Sequence, residues 1–284
     1  MLRLMKNAIF SLFVVSMFPI GLLAQSHSCC SLEATESFAM LGSNESFNAD
    51  HDVPGSYVHK SEMGQMIEYE TTDGGVAQAF ELKSPVPTNN YVFVVHEWWG
   101  LNNYVKKEAE KLFMDLGNVN VIALDLYDGQ VATTRDGASK LMQSVKEEHA
   151  RAIINGAKNY VGDKARVGTI GWCFGGGWSM QTSLLLGDQA AGCVIYYGMP
   201  ENKVERIKTL QTDVLGIFAT QDKWINPEVV SAFETNMEAA GKEFTTKSFD
   251  AKHAFANPSN PQYDSEATSE AYKMTLTFFK ERLQ

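Results

Sequence analysis

Residues 167–177 read Val-Gly-Thr-Ile-Gly-Trp-Cys-Phe-Gly-Gly-Gly, and this stretch decides the fold. A short apolar strand pattern runs into Cys173 and an apolar helix pattern follows it, which is the G-x-S-x-G strand–turn–helix arrangement with Cys in place of Ser. A Cβ at position 171 or 175 would clash in so tight a turn. The turn predicts a nucleophilic Cys173 at a helix N-terminus, where the thiolate is favoured. The alternative is a glycine-rich turn around an inert buried cysteine.

Segments on both sides of this turn alternate between strand and helix patterns. Apolar strands are predicted at 91–95, 119–126, 167–171, 192–197, 214–220 and 244–249, and helical spacing at 103–116, 136–160, 177–186, 226–241 and from 264 onward. This alternation predicts one α/β domain over residues 65–284, with a mostly parallel sheet and helices on both faces. Two alternating segments at 66–70 and 76–82 flank Asp73-Gly74-Gly75 and predict an N-terminal β-hairpin.

Two further side chains at predicted strand ends complete a catalytic set. Asp222 follows the strand at 214–220, and His253 follows the strand at 244–249 and is the only histidine after Cys173. The order nucleophile, acid, histidine is that of the α/β-hydrolases. We therefore expect His253 to take the thiol proton and Asp222 to orient the ring. The backbone N–H groups of Trp98 and Phe174 are the expected oxyanion hole.

The loop at 96–100 reads His-Glu-Trp-Trp-Gly, directly after a buried strand. His96-Glu97 does not predict a metal site, because the zincin pattern needs a second histidine where this chain has Gly100. We expect His96 to be a packed or hydrogen-bonded residue at the strand end. Three aromatic residues are expected either to line the substrate pocket or to pack in the core, namely Trp99, Tyr127 and Trp172.

Five motifs together resemble the dienelactone hydrolase (carboxymethylenebutenolidase-like) family over residues 65–283. They are His-Glu-Trp-Trp-Gly-Leu-Asn at 96–102, Asp-Leu-Tyr at 125–127, Gly-Trp-Cys-Phe-Gly-Gly at 171–176, Asp222, and His253-Ala-Phe. The resemblance implies a Cys–His–Asp triad that hydrolyses a lactone or ester through an acyl-enzyme, with no metal or organic cofactor. It also implies that Glu97 faces the nucleophile and controls its ionisation, since a carboxylate near a thiol opposes thiolate formation.

Two arginines of the enzyme that names the family are missing in register. They hold the substrate carboxylate there, but residues 128–130 of this chain are Asp-Gly-Gln and residues 257–258 are Asn-Pro. Arg135 is near the first position but not aligned with it. Without a bidentate cation, recognition of an anion loses its main support. We therefore expect a small-molecule ester, lactone or thioester that is neutral or less acidic than dienelactone.

The N-terminus predicts export. Residues 1–24 have two positive charges, an apolar run and a terminal Ala24 before polar Gln25, which is the pattern of a signal peptide; a membrane anchor is the alternative. Residues 25–64 form a polar leader, expected to drape over the domain or to be disordered. We expect a periplasmic or secreted monomer without a membrane span. With 24 Lys and Arg against 34 Asp and Glu, the net charge of −10 argues against nucleic-acid binding.

Two other classes of function are compatible with the sequence. The first is a small-molecule binding module that kept the fold and lost turnover. The second is a redox protein that uses Cys173, for which Cys193 or the Cys29-Cys30 pair would have to be the resolving thiol because no Cys-x-x-Cys is present.

Overall fold

The computed structural model describes residues 34–284, which belong to one compact unit. The predicted signal peptide 1–24, its cleavage site after Ala24, and the Cys29-Cys30 pair lie outside the described residues. Export therefore stays a prediction of the sequence. No helix among residues 34–284 combines the length and the apolar character needed to cross a membrane.

Eight strands of the described chain form one sheet in the order β1-β2-β4-β3-β5-β6-β7-β8. The strands are β1 (Gly64–Glu70), β2 (Val76–Leu82), β3 (Asn90–Val95), β4 (Asn120–Leu124), β5 (Arg166–Trp172), β6 (Ala190–Tyr196), β7 (Val214–Ala219) and β8 (Phe244–Phe249). Pairing is antiparallel from β1 to β4 and parallel from β4 to β8. The predicted hairpin and mostly parallel sheet are thus confirmed.

Helices cover the sheet in two groups. They are α1 (Ala34–Ala39), α2 (Glu45–Ala49), α3 (Asn103–Leu116), α4 (Arg135–Ser144), α5 (Glu147–Val161), α6 (Phe174–Leu186), α7 (Val204–Ile207), α8 (Pro227–Ala239) and α9 (Ser265–Leu283). The α3 and α9 helices contact each other, as do α5 and α6, and each pair packs against strands of the sheet. The helix predicted at 136–160 is two helices, because the backbone is extended at Val145 and Lys146.

Side-chain caps set the starts of several helices that flank the site. The Asn102 side chain accepts hydrogen bonds from the Tyr104 and Val105 N–H groups at the start of α3. Asn226 accepts from Val229 N–H at the start of α8, whose first residue is a proline, as the sequence predicted. With the helices fixed in this way, the carboxyl ends of β3, β5, β7 and β8 meet at one edge of the sheet.

Candidate active site

Cys173 lies in a sharp turn between β5 and α6. Its φ of 56° and ψ of −119° are values that a residue with a side chain rarely adopts. A Cβ added at position 171 would lie 2.0 Å from the Gly175 oxygen, and one added at position 175 would lie 2.3 Å from the Val95 oxygen. The prediction that both positions exclude a side chain is confirmed. The turn holds Cys173 at the N-terminus of α6 and packs Gly175 against the end of β3.

Asp222 and His253 join Cys173 in one chain of contacts. His253 Nε2 lies 3.3 Å from the Cys173 sulfur, and His253 Nδ1 donates to Asp222 Oδ2 over 2.6 Å. Asp222 Oδ1 accepts from the N–H groups of Trp224 and Ile225, at 2.8 and 3.0 Å. Because Nδ1 carries the hydrogen, the neutral ring keeps a lone pair on Nε2 that faces the sulfur.

Burial and charge act against each other on the pKa values of these three groups. Burial favours neutral His253, but Asp222 and Cys173 outweigh it and raise the pKa of His253 well above its usual value. Burial also favours neutral Asp222, but the contacts with His253 and two backbone N–H groups lower its pKa. Burial dominates at Cys173 and raises the pKa of its thiol, while His253 opposes that shift. The closed site therefore disfavours a free thiolate.

Glu97 lies beside this chain without a hydrogen bond to it. Its half-buried side chain accepts from Asn257 Nδ2 over 2.7 Å. Burial raises the pKa of Glu97 to about 7, although His253 and Asn257 oppose the shift. The carboxylate in turn adds to the rise in the pKa of Cys173. The sign of this effect is the one that the family resemblance implies for Glu97, whose role stays a prediction.

The expected oxyanion-hole residues lie on the two elements that meet at the turn. Phe174 is the first residue of α6, and its N–H interacts with the sulfur and lowers the pKa of Cys173. Trp98 follows β3 in the loop whose first carbonyl groups contact Gly175. No acceptor for the Trp98 N–H occurs among residues 34–284. The Phe174 N–H is therefore beside the sulfur, and the Trp98 N–H belongs to the loop that packs against the turn.

The three expected pocket aromatics have different surroundings. Trp99 is buried against Trp98, with ring centroids 4.9 Å apart, as core packing requires. Tyr127 is buried against the His96 ring at 4.6 Å. Trp172 is half-buried and lines a small cleft of about 50 Å³ beside Glu97. Of these three residues, Trp172 alone borders that cleft.

His96 is a structural residue, as expected. Its Nδ1 donates to the Glu97 carbonyl oxygen over 2.6 Å, and its Nε2 accepts from the Leu126 N–H over 3.1 Å. Both ring nitrogens are therefore used, and the side chain has no solvent exposure. The bonds join the loop after β3 to the loop after β4.

Two buried tyrosine hydroxyls lie within electrostatic range of the nucleophile. Burial raises the pKa of Tyr127 and Tyr197 well above 10, and the charge of Cys173 adds to both shifts. The Tyr127 hydroxyl and the Trp98 indole N–H have no hydrogen-bond partner among the described residues, whereas the Tyr197 oxygen interacts with the backbone of Ala256. Sequence reasoning missed Tyr197, whose ring lies 5.1 Å from the His253 ring.

Residues 34–51, here called the lid, cover the triad. The lid comprises α1, a 3-10 turn at Met40–Ser43, α2 and the residues up to His51, and it packs against α4 and α6. The rings of Phe38 and Phe47 lie 6.4 and 6.1 Å from the His253 ring. Cys173 is 1% exposed and His253 6%. For this part of the leader, the structure agrees with draping over the domain rather than with disorder.

His51 brings a second imidazole to Cys173. Its Nε2 lies 3.9 Å from the Cys173 sulfur, and its Nδ1 donates to the Phe47 carbonyl oxygen over 2.7 Å. Burial, followed by the charge of His253, lowers the pKa of His51 to about 3, so the ring is neutral. No motif in the sequence marked this residue, which lies 122 positions from Cys173.

Two ion pairs fasten the end of the lid to the domain. Arg135 forms a salt bridge with Asp52 and donates from Nε to the His51 carbonyl oxygen over 2.6 Å. Lys223 contacts Asp50 at 3.1 Å. The Arg135 side chain therefore binds the last residue of the lid and the residue that follows it.

Glu97→Gln should shift the reactivity of Cys173 to lower pH. Above about pH 7 the parent carboxylate is ionised and raises the pKa of the thiol, whereas glutamine carries no charge. Alkylation of Cys173 by iodoacetamide should therefore be faster in the variant above pH 7 and similar to the parent below it. The matched control is Glu108→Gln, since Glu108 influences Glu97 but not the thiol. A profile that is unchanged, or that moves to higher pH, would contradict the role assigned to Glu97.

Phe47→Ala should open the lid. Phe47 has no solvent exposure and contacts Phe38, His51, Trp98 and Trp224. Loss of the ring should cost the closed lid about 3 kcal/mol and speed alkylation of Cys173 up to about a hundredfold. Phe113→Ala, at a buried position of α3, is the control; it should lower the melting temperature without that gain in alkylation. Equal rates in Phe47→Ala and the parent would mean that Phe47 does not hold the lid closed.

Comparison with known proteins identifies a family whose sequence model matches this chain and several proteins with similar sequences. The sequence model of the dienelactone hydrolase family matches residues 77–283. The protein usf of Aquifex pyrophilus is 29% identical over 233 residues, which cover 78% of this chain and 100% of that protein. Carboxymethylenebutenolidase 1 of Cupriavidus pinatubonensis is 24% identical over 225 residues, which cover 74% of this chain and 94% of that one.

A solved structure shares the fold. The dienelactone hydrolase-like promiscuous phosphotriesterase from metagenomic libraries superposes with a TM-score of 0.65 at 22% identity, over 78% of this chain and 100% of that one. The family match extends from β2 to the end of α9 and includes every residue of the Cys173–His253–Asp222 chain. The protein therefore belongs to the dienelactone hydrolase family and is a hydrolase of carboxylic esters or lactones.

Proposed function

We propose that this hydrolase cleaves a neutral carboxylic ester, lactone or thioester by transferring the acyl group to Cys173. The observation that carries the proposal is the contact chain from the Cys173 sulfur through His253 to Asp222, with heavy-atom distances of 3.3 and 2.6 Å. It is the nucleophile–base–orienter arrangement of acyl-transfer enzymes.

Acylation uses the proton that Cys173 and His253 share. As the sulfur attacks the substrate carbonyl carbon, His253 Nε2 takes the thiol proton, and Asp222 stabilises the imidazolium that forms. His253 then gives the proton to the departing oxygen, or to the departing sulfur of a thioester. The bond between the carbonyl carbon and the leaving group breaks, and a thioester to Cys173 remains.

Hydrolysis of the thioester uses the same base. His253 takes a proton from water as the water oxygen attacks the acyl carbon, and Cys173 leaves as the thiolate, which His253 reprotonates. The acid product and the free enzyme result. Because Asp222 accepts two further backbone hydrogen bonds, it can remain ionised throughout.

Several buried donors support an oxygen that gains negative charge during both steps. The backbone N–H groups of Trp98 and Phe174 are the proposed oxyanion hole, and each such donor typically lowers the barrier by about 3 kcal/mol. The unpartnered hydroxyl of Tyr127 is a further donor for the polar part of the substrate. A buried donor without a partner is costly, so a substrate oxygen that accepts from it gains affinity.

The preference for a neutral substrate rests on the charges around the site. The cleft beside Glu97 and Trp172 contains a second carboxyl group, that of Glu108, and no lysine or arginine is among the described residues that line it. Arg135 is bound to Asp52 and to the His51 carbonyl group. An anionic substrate would meet carboxylates without a compensating cation.

Substrate entry requires the lid to move, because Cys173 is 1% exposed while residues 34–51 cover it. The lid thus keeps water from the nucleophile until substrate displaces it. The proposal also includes export to the periplasm or the cell exterior, which the signal-peptide pattern of residues 1–24 supports.

The proposal is tested with two p-nitrophenyl esters of similar length, the neutral butyrate and the anionic hemisuccinate. Under reducing conditions, the parent should hydrolyse the neutral ester with a kcat/KM at least about tenfold higher, because no cation pairs with the anion. Cys173→Ala should lose on the order of 10³-fold or more of the activity. Cys193→Ala removes the other free buried cysteine among the described residues and should retain activity.

Each outcome bears on a different part of the proposal. Substantial activity in Cys173→Ala would contradict the nucleophile, and a preference for the hemisuccinate would contradict the charge argument. Absence of turnover with any ester in a parent protein whose Cys173 is still alkylated would favour the small-molecule binding module.

A further inference from the structure

The closed lid creates a set of ligand atoms that the triad alone does not have. The three atoms are Cys173 Sγ, His253 Nε2 and His51 Nε2, and they lie within 4.8 Å of one another. Sγ lies 3.3 Å from His253 Nε2 and 3.9 Å from His51 Nε2. Within residues 34–284, these three side chains form the one group of His, Cys, Asp or Glu residues whose spacing suits a metal ion.

Both imidazoles present the correct nitrogen. The Nδ1 of His51 donates to the Phe47 carbonyl oxygen, and the Nδ1 of His253 donates to Asp222. In each neutral ring the lone pair is therefore on Nε2, which is the atom that faces the sulfur. A ligand histidine whose other nitrogen donates to a carboxylate or a carbonyl group is the usual arrangement around zinc.

We propose that this cluster is a Zn²⁺ site in which the metal ties the lid to the catalytic cysteine and histidine. One cysteine and two histidines are normal zinc ligands, and water can complete a tetrahedral site. On binding, Sγ and His253 Nε2 both bond to zinc, and the proton that the Cys173–His253 pair holds goes to solvent, so no electron is transferred. The thiolate and the Asp222 carboxylate together balance the charge of the metal, which a buried site requires.

The distances from the two imidazoles to the sulfur need only a small contraction. Zn–N bonds of about 2.0–2.1 Å and a Zn–S bond of about 2.3 Å put tetrahedral ligand atoms roughly 3.3 to 3.6 Å apart. The Sγ–His253 separation already matches this spacing, and His51 Nε2 must approach the sulfur by a few tenths of an ångström. His51 Nε2 must also move toward His253 Nε2, from which it lies within 4.8 Å. His51 belongs to the lid, whereas the other two ligands belong to the domain below it. The metal would thus lock the closed state.

Other histidines of the described chain lack such an arrangement. His96 uses both nitrogens in hydrogen bonds to backbone groups. His149 is exposed and contacts Asp73 at 2.8 Å and Asp128 at 3.0 Å with its two nitrogens. His149 therefore supplies a control position for incidental metal binding.

Bound metal should make the hydrolase inactive in a reversible way, and this part of the inference rests on the proposed function. Zn²⁺ occupies both the nucleophile and the base, and it holds shut the lid that substrate must displace. A chelator should restore the activity. Metal binding itself requires no turnover, so it can be measured separately.

The test uses the reduced, metal-free full chain titrated with Co²⁺, which reports a cysteine ligand by a thiolate-to-cobalt charge-transfer band. We expect one equivalent to bind, Zn²⁺ to displace it, and the band to vanish in Cys173→Ala. His51→Phe, which preserves a ring against Phe47 and Trp98, should weaken binding by about tenfold or more. His51→Cys replaces the ligand with another ligand and should bind more tightly than His51→Phe.

Two control proteins exclude other sites. His149→Ala should bind Co²⁺ as the parent does. So should the double variant Cys29→Ser/Cys30→Ser, which removes the two thiols that are neighbours in the sequence. In a second readout, Zn²⁺ should slow alkylation of Cys173 by about tenfold or more in the parent and much less in His51→Phe.

The inference is overturned if no charge-transfer band forms in the parent, or if His51→Phe binds Co²⁺ as tightly as the parent does. It is also overturned if the band depends on Cys29 and Cys30. Absence of ester hydrolysis with intact Co²⁺ binding would count against the proposed function alone, whereas hydrolysis without metal binding would count against the metal site alone.

Discussion

The active site depends on how closely the backbone of α6 approaches the ends of β3 and β5. Gly171 and Gly175 leave no room for a Cβ, because carbonyl oxygens lie 2.0 and 2.3 Å from where it would be. This contact forces Cys173 into a positive φ and directs its sulfur to the sheet edge. Asp222 and His253 reach the same edge because their strands are parallel to β5. The position of Cys173 relative to Asp222 and His253 thus depends on the backbone packing at these two glycines.

Burial is the second constraint, and it acts on reactivity rather than on geometry. It is the largest influence on the pKa of Cys173, Glu97 and His51, and in each case it favours the neutral form. Burial in the closed site therefore disfavours the Cys173 thiolate and the charged forms of Glu97 and His51, whereas Asp222 and His253 stabilise each other's charged forms. Opening of the lid and entry of a polar substrate would relax this constraint. The lid thus acts on the chemistry as well as on access.

The sequence allowed the triad to be predicted because strand periodicity identifies residues that follow strands, and parallel strands bring such residues together. It left open whether the leader drapes over the domain or is disordered, and it did not predict that residues 34–51 form helices over Cys173 and His253. The α1 and α2 helices have only six and five residues, too few for a helical period to stand out. Apolar residues in this stretch are confined to Ala34, to the short run at 38–41 and to Phe47 and Ala49, so they show no sustained helical period. The break at Val145 and Lys146 was missed for a similar reason, since the helical spacing continues across it.

The central claim is that Cys173 carries the acyl group during turnover. Intact-protein mass spectrometry after rapid acid quench of the enzyme with p-nitrophenyl butyrate tests it directly, followed by peptide mapping. The account predicts a transient mass increase of one butyryl group, located on the peptide that contains Cys173 and absent in Cys173→Ala. Turnover of the ester with no adduct at any quench time, or with the adduct on another residue, would contradict it.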